Sequence, residues 1–350
     1  MSPLYLAETT MTGRAVEPLV SIVTPVYNGE KYLAECADSV LRQTYRNWEY
    51  VIVNNCSTDR TAEIAEKYVR QDGRIHVHTN KRFVGMVENE NIAFQLISAA
   101  SKYGKMVHAD DWLYPECLSR MVEQAEACPS IGIVGAYGFN GNKVLWNQLE
   151  PRHTIVPGRE ISRRTLLGGF YVFGSPSSLL FRSDLLRNHQ PFFDPSFFTQ
   201  FSDNEACFRV LQTNDFGFVH EVLTFSREHQ DSMTSSIAQT VSNGLLPGQL
   251  RILARYGPVY LSENEYAQRT GEIFDRYYQF LGRYPFRLAD SRFRNLHLGA
   301  LGSANHSLSL LRLAHASVSQ FAWLFMNPRH VAKKVLETVS TMAAGTRGLR

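Results

Sequence analysis

Three apolar segments constrain this chain more than any other feature: Val20-Ser-Ile-Val-Thr, Tyr50-Val-Ile-Val and Lys105-Met-Val-His. Each runs into small polar or acidic residues, and each is followed by a stretch of helical periodicity. Behind the first, Leu33, Cys36, Ala37, Val40 and Leu41 recur at helical spacing. Behind the second, Ile64 and Tyr68 lie on one helix face, and Ser57 or Asp59 stands where a cap belongs. Strands at 19–24, 50–53, 75–78, 105–108 and 131–136, with helices such as 88–100 and 115–128 between them, predict an α/β fold. Its sheet is mostly parallel and Rossmann-like, with helices on both faces. Ligands of such sheets bind outside the carboxyl ends of the strands.

Beyond residue 137 the alternation breaks and Gly, Asn, Pro and aromatic residues become frequent. The expected organisation is an N-terminal arm (1–18), a first half (19–136), an irregular second half (137–240) and a helical extension (241–350). A formal net charge of +3 over 350 residues gives no basis for nucleic-acid binding across the whole molecule. The five cysteines have no CxxC spacing, which argues against a disulfide scaffold or a zinc site and fits a cytoplasmic protein. No secretory h-region is read in residues 1–18, and no run approaches 18 apolar residues.

The chemistry-bearing candidates sit at the strand ends. Asp110 and Asp111 follow the strand at 105–108 and precede Trp112, Leu113 and Tyr114. A solvated acidic loop is the plain reading of such a pair. Carboxylates beside an apolar strand end more often hold a partner, and two of them with a phosphate-bearing ligand suit a hard divalent cation. In Thr24-Pro-Val-Tyr-Asn28, either Pro25 and Asn28 simply make the turn that ends the first strand, or Thr24 and Tyr27 line a slot for a flat base. In Asn54-Asn55-Cys56-Ser57-Thr58-Asp59, the short polar side chains either cap a helix or read a base edge or ribose. Asp203 stands near the start of a helical run, where capping competes with service as a general base; a helix N-terminus favours its ionised form. Arg227-Glu-His229 is either structural or a holder of pyrophosphate or metal.

Taken together, these segments resemble glycosyltransferase family 2, the inverting enzymes of the GT-A fold. The likeness rests on Val20-Ser-Ile-Val-Thr-Pro-Val-Tyr-Asn-Gly29, Trp48 to Val53, Asn55-Cys-Ser-Thr-Asp59 and His108-Ala-Asp-Asp111, then Gly174 to Arg182, Asp203 and Arg227-Glu-His229. It covers roughly residues 19–235. It implies sugar transfer from a nucleotide-diphosphate donor (a UDP-, GDP- or dTDP-sugar) to a hydroxyl of a glycan or lipid-linked saccharide, in polysaccharide biosynthesis. It implies a nucleotide-sugar-binding half at 19–136, an acceptor-binding half at 137–240, and a divalent metal, Mn2+ or Mg2+. By the same likeness Thr24, Pro25, Tyr27, Asn55 and Ser57 contact the donor, with Asp110 on the ribose or the metal. Asp111 and His229 hold the metal, and Asp203 is the catalytic base. The chain departs from the family in three places. His108 replaces the first acid of the metal motif, Asn54 and Asn55 stand where two aspartates are common, and the run 85–93 lacks an Arg. Asn89 and Asn91 are the donor-binding candidates in that run, with Lys81 or Arg82 as sources of positive charge.

Two other classes compete. A nucleotidyltransferase needs a Gly-rich basic loop after the first strand, and Pro25-Val-Tyr-Asn28 is not one. A degenerate sugar-nucleotide-binding protein is the alternative that His108 and the missing Arg suggest. Residues 306–350 carry six Lys or Arg and one acid, Glu337, with the apolar block Phe321 to Met326. They read as helices packed on the catalytic domain or as a peripheral contact with the inner face of a membrane.

Overall fold

The computed structural model describes residues 17–197, 201–227 and 245–327. The chain divides into two units. The first comprises Met1–Gly158, Val172–Pro195 and Arg209–Arg227; the second comprises Arg159–Tyr171, Ser196–Phe208 and Glu228–Arg350.

The first unit holds the whole sheet. Its strands are β1 (Val20–Val26), β2 (Trp48–Asn54), β3 (Ile75–Thr79), β4 (Tyr103–Met106), β5 (Trp112–Leu113), β6 (Ile131–Asn140), β7 (Lys143–Leu145), β8 (Ile155–Val156), β9 (Leu179–Arg182) and β10 (Asp215–Phe225). The order is β3-β2-β1-β4-β9-β6-β10-β5, with β7 beside β6 and β8 beside β10. β1 runs parallel to β2 and β4, β2 to β3, and β6 to β10, whereas β9 is antiparallel to both β4 and β6. The helices α1 (Leu33–Leu41), α2 (Thr61–Gln71), α3 (Met86–Gln95) and α4 (Cys117–Glu126) follow β1, β2, β3 and β5 in turn. Helix α1 buries Leu33, Cys36, Ala37 and Val40, the periodic face of the sequence, in a core with Ile22, Tyr50 and Leu118.

Three differences from the sequence pattern have physical causes. Helix α3 stops at Gln95 rather than 100, because the Ser98 backbone N–H bonds the Glu49 carboxylate at 2.7 Å and pulls the chain out of the helix. Strand β6 continues to Asn140, because β7 returns antiparallel along its end. Residues 215–225, read as an apolar stretch in irregular structure, form the eleven-residue β10. Its register against β6 shifts at three places, which breaks the alternation a strand otherwise shows.

β1 carries Pro25 without loss. Val107 N–H bonds the Val23 carbonyl at 2.9 Å, so Val23 and Pro25 both direct their backbone groups toward β4. β4 has ended at Met106, opposite Val23, and no ladder partner needs the missing N–H.

The second unit carries α5 (Gly158–Leu167) and the start of α7 (Ser202–Val210), with α6 (Ser183–Asn188) belonging to the first. It continues with α8 (Leu245–Tyr260), α9 (Glu263–Arg283), α10 (Ser291–Ser303) and α11 (Leu310–Met326). The Ser262 hydroxyl and the Glu265 carboxylate cap the start of α9 reciprocally. Asp290 accepts from Arg292 N–H at the start of α10.

Candidate active site

The carboxyl ends of β1, β2 and β4 meet because their registers align Val26 with Asn54 and Val23 with Met106. The loop after β1 is sewn to the start of α2. Asn28, at φ +50°, donates its N–H to Ser57 Oγ (3.0 Å), and its side-chain oxygen accepts from Thr58 N–H (2.8 Å). Gly29 N–H bonds Thr61 Oγ1 (2.7 Å), and Asp59 accepts from the N–H groups of Glu30 and Thr61. Burial opposes ionisation of Asp59, but the Thr61 hydroxyl and these two N–H donors hold its carboxyl below the usual range. Neither Ser57 nor Asp59 is the cap of α2: Arg60 holds that position without a side-chain cap bond, Asp59 just before it accepts from Thr61 N–H, and Ser57 anchors Asn28.

Thr24 faces inward. It is fully buried and accepts from Tyr50 OH at 2.9 Å, with the Cys36 sulfur 3.8 Å away. Burial pushes the Cys36 thiol up to about 12, which leaves it an inert packing group.

Asn55 is also turned inward. Its Nδ2 donates to the Val84 carbonyl (2.8 Å), and its Oδ1 accepts from Val84 N–H and from Asn80 Nδ2 (both 3.0 Å). Asn80 continues to Asn89 Oδ1 (2.8 Å). Asn91 bonds both backbone groups of Phe193, each at 2.8 Å. The side chains of Asn55, Asn89 and Asn91, read from sequence as donor contacts, are therefore engaged with the protein itself. Asn55 and Asn89, joined through Asn80, fix the loop 80–84, which raises Phe83 beside Tyr27, whereas Asn91 holds the backbone at Phe193. The two rings, about half exposed, lie 4.7 Å apart at 63°. Phe83 beside Tyr27 is a candidate that the sequence reading did not name. A lone aromatic in a loop carries no periodic signal, and its partner follows a different strand.

At the end of β4 the chain turns back, with Asp111 N–H on the His108 carbonyl (3.0 Å). The Asp111 carboxylate is 5% exposed. Burial, then the neighbouring charge of Asp110, pushes it up to about 6, against the opposing pull of His108, the Ser177 hydroxyl and the Arg227 N–H. Arg227 N–H bonds Asp111 Oδ1, its Nε bonds the Asp110 carbonyl (both 3.0 Å), and its guanidinium pairs with Glu35 and covers the Tyr32 ring. His108 Nε2 lies 2.9 Å from the buried Glu90 carboxylate. Burial opposes the imidazolium, yet the bond and charge of Glu90, helped by Asp111 and Asp110, push it up to about 9. Beneath the turn, the fully buried Lys105 amine donates to the carbonyls of Ser177 (2.5 Å) and Leu179 (3.1 Å), and burial lowers its pKa. Ser177 Oγ in turn receives His108 N–H (3.0 Å).

Among the described residues, no group of three or more His, Cys, Asp or Glu comes together as a metal cage. The pair Asp110–Asp111 nonetheless suits a divalent cation. A hard cation that keeps substrate phosphates and waters needs one or two carboxylates, and Asp111 is held ionisable against its burial. His229, the third metal candidate from the sequence, lies outside the described residues.

In the second unit, Asp203 is the second residue of α7 rather than its cap. It is half-buried and accepts from Asn204 N–H at 2.7 Å. Tyr171 is pushed well above its ordinary value by burial and then by the charge of Asp203.

Comparison with known proteins agrees with this arrangement. The model of glycosyl transferase family 2 matches residues 21–189. The uncharacterized glycosyltransferase EpsJ of Bacillus subtilis is 37% identical over 150 residues, 43% of this chain and 40% of that protein. The chain spans about two fifths or less of the length of the first curated relatives it matches. Among solved structures, S. aureus TarS 1–349 in complex with UDP-GlcNAc superposes with a TM-score of 0.61 at 20% identity, covering 81% of this chain and 80% of that one. The mannosyltransferase PcManGT from Pyrobaculum calidifontis, in complex with GDP-Man and Mn2+, gives 0.53 at 15% identity, covering 91% and 84%. These likenesses establish the GT-A fold.

Proposed function

We propose that this chain, which belongs to glycosyl transferase family 2 through residues 21–189, moves a sugar from a nucleotide-diphosphate donor to a hydroxyl of a growing polysaccharide or glycan, with inversion. The observation that carries the reading is the pairing of a buried, burial-strained Asp111 with an aromatic platform at the ends of adjacent parallel strands. The platform of Tyr27 and Phe83 takes the base, and stacking on such rings tolerates any base. UDP-GlcNAc in TarS and GDP-Man in PcManGT support a nucleotide-sugar donor without selecting between uridine and guanosine.

Asn55, Asn80 and Asn89 act indirectly by holding the loop that presents Phe83. Asp110 meets the ribose or the cation, and Asp111 the cation, with His229 a further ligand. A divalent cation, Mn2+ or Mg2+, supplies neutralisation of the charge that develops on the leaving diphosphate. Arg227 holds the Asp110–Asp111 turn through one backbone and one side-chain bond. Asp203, in the first turn of α7, takes the proton of the acceptor hydroxyl. Inversion needs a single displacement, so no residue is assigned as nucleophile.

The test is turnover of nucleotide sugars with Mn2+, alongside donor binding, in the wild type and in Asp203→Asn. Loss of about 10²–10⁴-fold in turnover with unchanged donor affinity supports the assignment. A chain that binds no nucleotide sugar with or without metal, or an Asp203→Asn variant that turns over normally, refutes it.

A further inference from the structure

Trp146, just past the end of β7, holds a backbone conformation that bulky residues rarely adopt. Its φ is +60°, in the left-handed region. Such strain persists only where the surroundings fix it, and it gathers at ligand sites. Two glycines make the seat. A Cβ at Gly138 would stand 2.2 Å from Cζ3 of the indole, and one at Gly174 would stand 2.9 Å from its Cδ2. Leu145, opposite Gly138 in the pairing of β7 with β6, sets the approach. The six-membered ring is thus seated on backbone, while the side chain as a whole is only partly buried. Among the described residues no aromatic ring or cation packs on Trp146, and its indole N–H meets no acceptor and is not enclosed.

Strand order places this indole in line with the nucleotide site. From β1 the sheet runs through β4 and β9 to β6. Tyr27 follows β1, and the Asp110–Asp111 turn follows β4. At about 4.8 Å per strand, β6 lies roughly 10 Å beyond β4. Lys105 and Val134 both stand opposite Leu180 on β9, so Gly138, further along β6, has passed the end of β4 and reached the height of that turn. Gly174 belongs to the segment whose Ser177 Oγ accepts His108 N–H at 3.0 Å. All of these residues lie in the first unit. The Tyr27–Phe83 platform, the carboxylate pair and the indole therefore follow one another in the order of a base, a diphosphate and a sugar. A pyranose suits the seat: one face carries C–H groups that lie on an indole, and its rim hydroxyls accept from an indole N–H.

We propose that Trp146 is the stacking platform for a pyranose ring held beside the cation site, supplied by the donor sugar or by the first sugar of the acceptor. The proposal rests on the transferase reading and adds to it a residue that selects the sugar.

The chain has four tryptophans, and the difference in emission between the wild type and Trp146→Phe isolates this one. That difference is followed with Mn2+ and UDP, GDP or dTDP, then with a nucleotide sugar of each base. Methyl pyranosides of glucose, galactose, mannose and N-acetylglucosamine are finally added to the nucleoside-diphosphate complex. The expected result is a saturable change in emission. A change with a nucleotide sugar and not with its nucleoside diphosphate assigns the ring to the donor, and a change with a pyranoside assigns it to the acceptor. Trp146→Ala should weaken that same ligand about tenfold, the loss expected for roughly 55 Å² of apolar contact, and leave nucleoside-diphosphate affinity as it was. Trp146→Phe, which keeps a ring, should recover part of the loss. A nucleoside diphosphate that binds while no sugar changes the Trp146 emission overturns the platform and leaves the transferase reading standing. An equal change with the nucleoside diphosphate alone also overturns the platform. A chain that binds none of the nucleotides overturns both.

Discussion

Replacing Asp111 with Asn should stabilise the metal-free protein at neutral and alkaline pH. In the folded protein the Asp111 carboxyl is pushed up to about 6 by burial and by Asp110, against an ordinary 3.8. The folded state therefore keeps a proton that the unfolded chain has released. Stability is full below about pH 4, declines as pH rises through 6, and is level above that. A difference of about two pH units at about 1.4 kcal/mol each puts the ionisation penalty at about 3 kcal/mol. Asn keeps an oxygen for Arg227 N–H and the Ser177 hydroxyl but has no charge to desolvate. Urea unfolding in EDTA between pH 4 and 9 should show a wild type that weakens across pH 4–6 and a variant whose curve is flat there and higher at pH 8. With Mn2+ and a nucleoside diphosphate at a hundred times Kd, the wild type should gain about 2.7 kcal/mol and the variant nothing. A variant less stable than the wild type at pH 8, or one with the same pH slope, refutes the reading of Asp111 as a carboxylate whose ionisation its burial opposes.

Three further outcomes follow from the same region. Glu90→Gln removes the partner that raises His108 from 6.5 to about 9, so it should cost about 3 kcal/mol below pH 6.5 and converge on the wild type as pH rises through 9, measured by unfolding across that range. Phe83→Ala should weaken nucleotide binding about 5- to 150-fold, since a stacked base contributes about 1–3 kcal/mol, with little change in melting temperature because the ring is more than half exposed; unchanged binding in a calorimetric titration removes Phe83 from the site. Lys105→Met leaves the carbonyls of Ser177 and Leu179 unsatisfied in the interior, and should lower unfolding stability by about 1–3 kcal/mol and loosen Mn2+ binding through Ser177; a variant as stable as the wild type rejects that role.

The sheet's first half was legible because its signals are local. β1, β2 and β4 are short apolar runs that end in polar groups, and the face of α1 repeats at helical spacing. β10 was not legible, because it is buried along most of its length and its register shifts cancel the period-two signal. The Asp110–Asp111 turn was visible as a motif, but its supports were not. Glu90 meets His108 and Arg227 meets Asp111 across long sequence separations that no local pattern encodes. Asn55 shows a different limit. Its type at a strand end suggests ligand contact equally with loop fixation, and only the positions of Val84 and Asn80 show that its amide is engaged within the protein.

The place of β9 bears on how this chain is made. β9 separates β4 from β6, so a ribosome-bound chain that has reached Met106 holds four parallel strands with one flank of β4 open. The flank stays open until Arg182 has emerged, roughly 4 to 15 s later at ordinary rates of synthesis. Bare strand edges recruit other chains, and a lysine within the strand discourages them. Lys105 occupies that position in β4, and its eventual acceptors, the carbonyls of Ser177 and Leu179, arrive with the segment that closes the gap. One side chain thus guards the nascent sheet and then locks it shut.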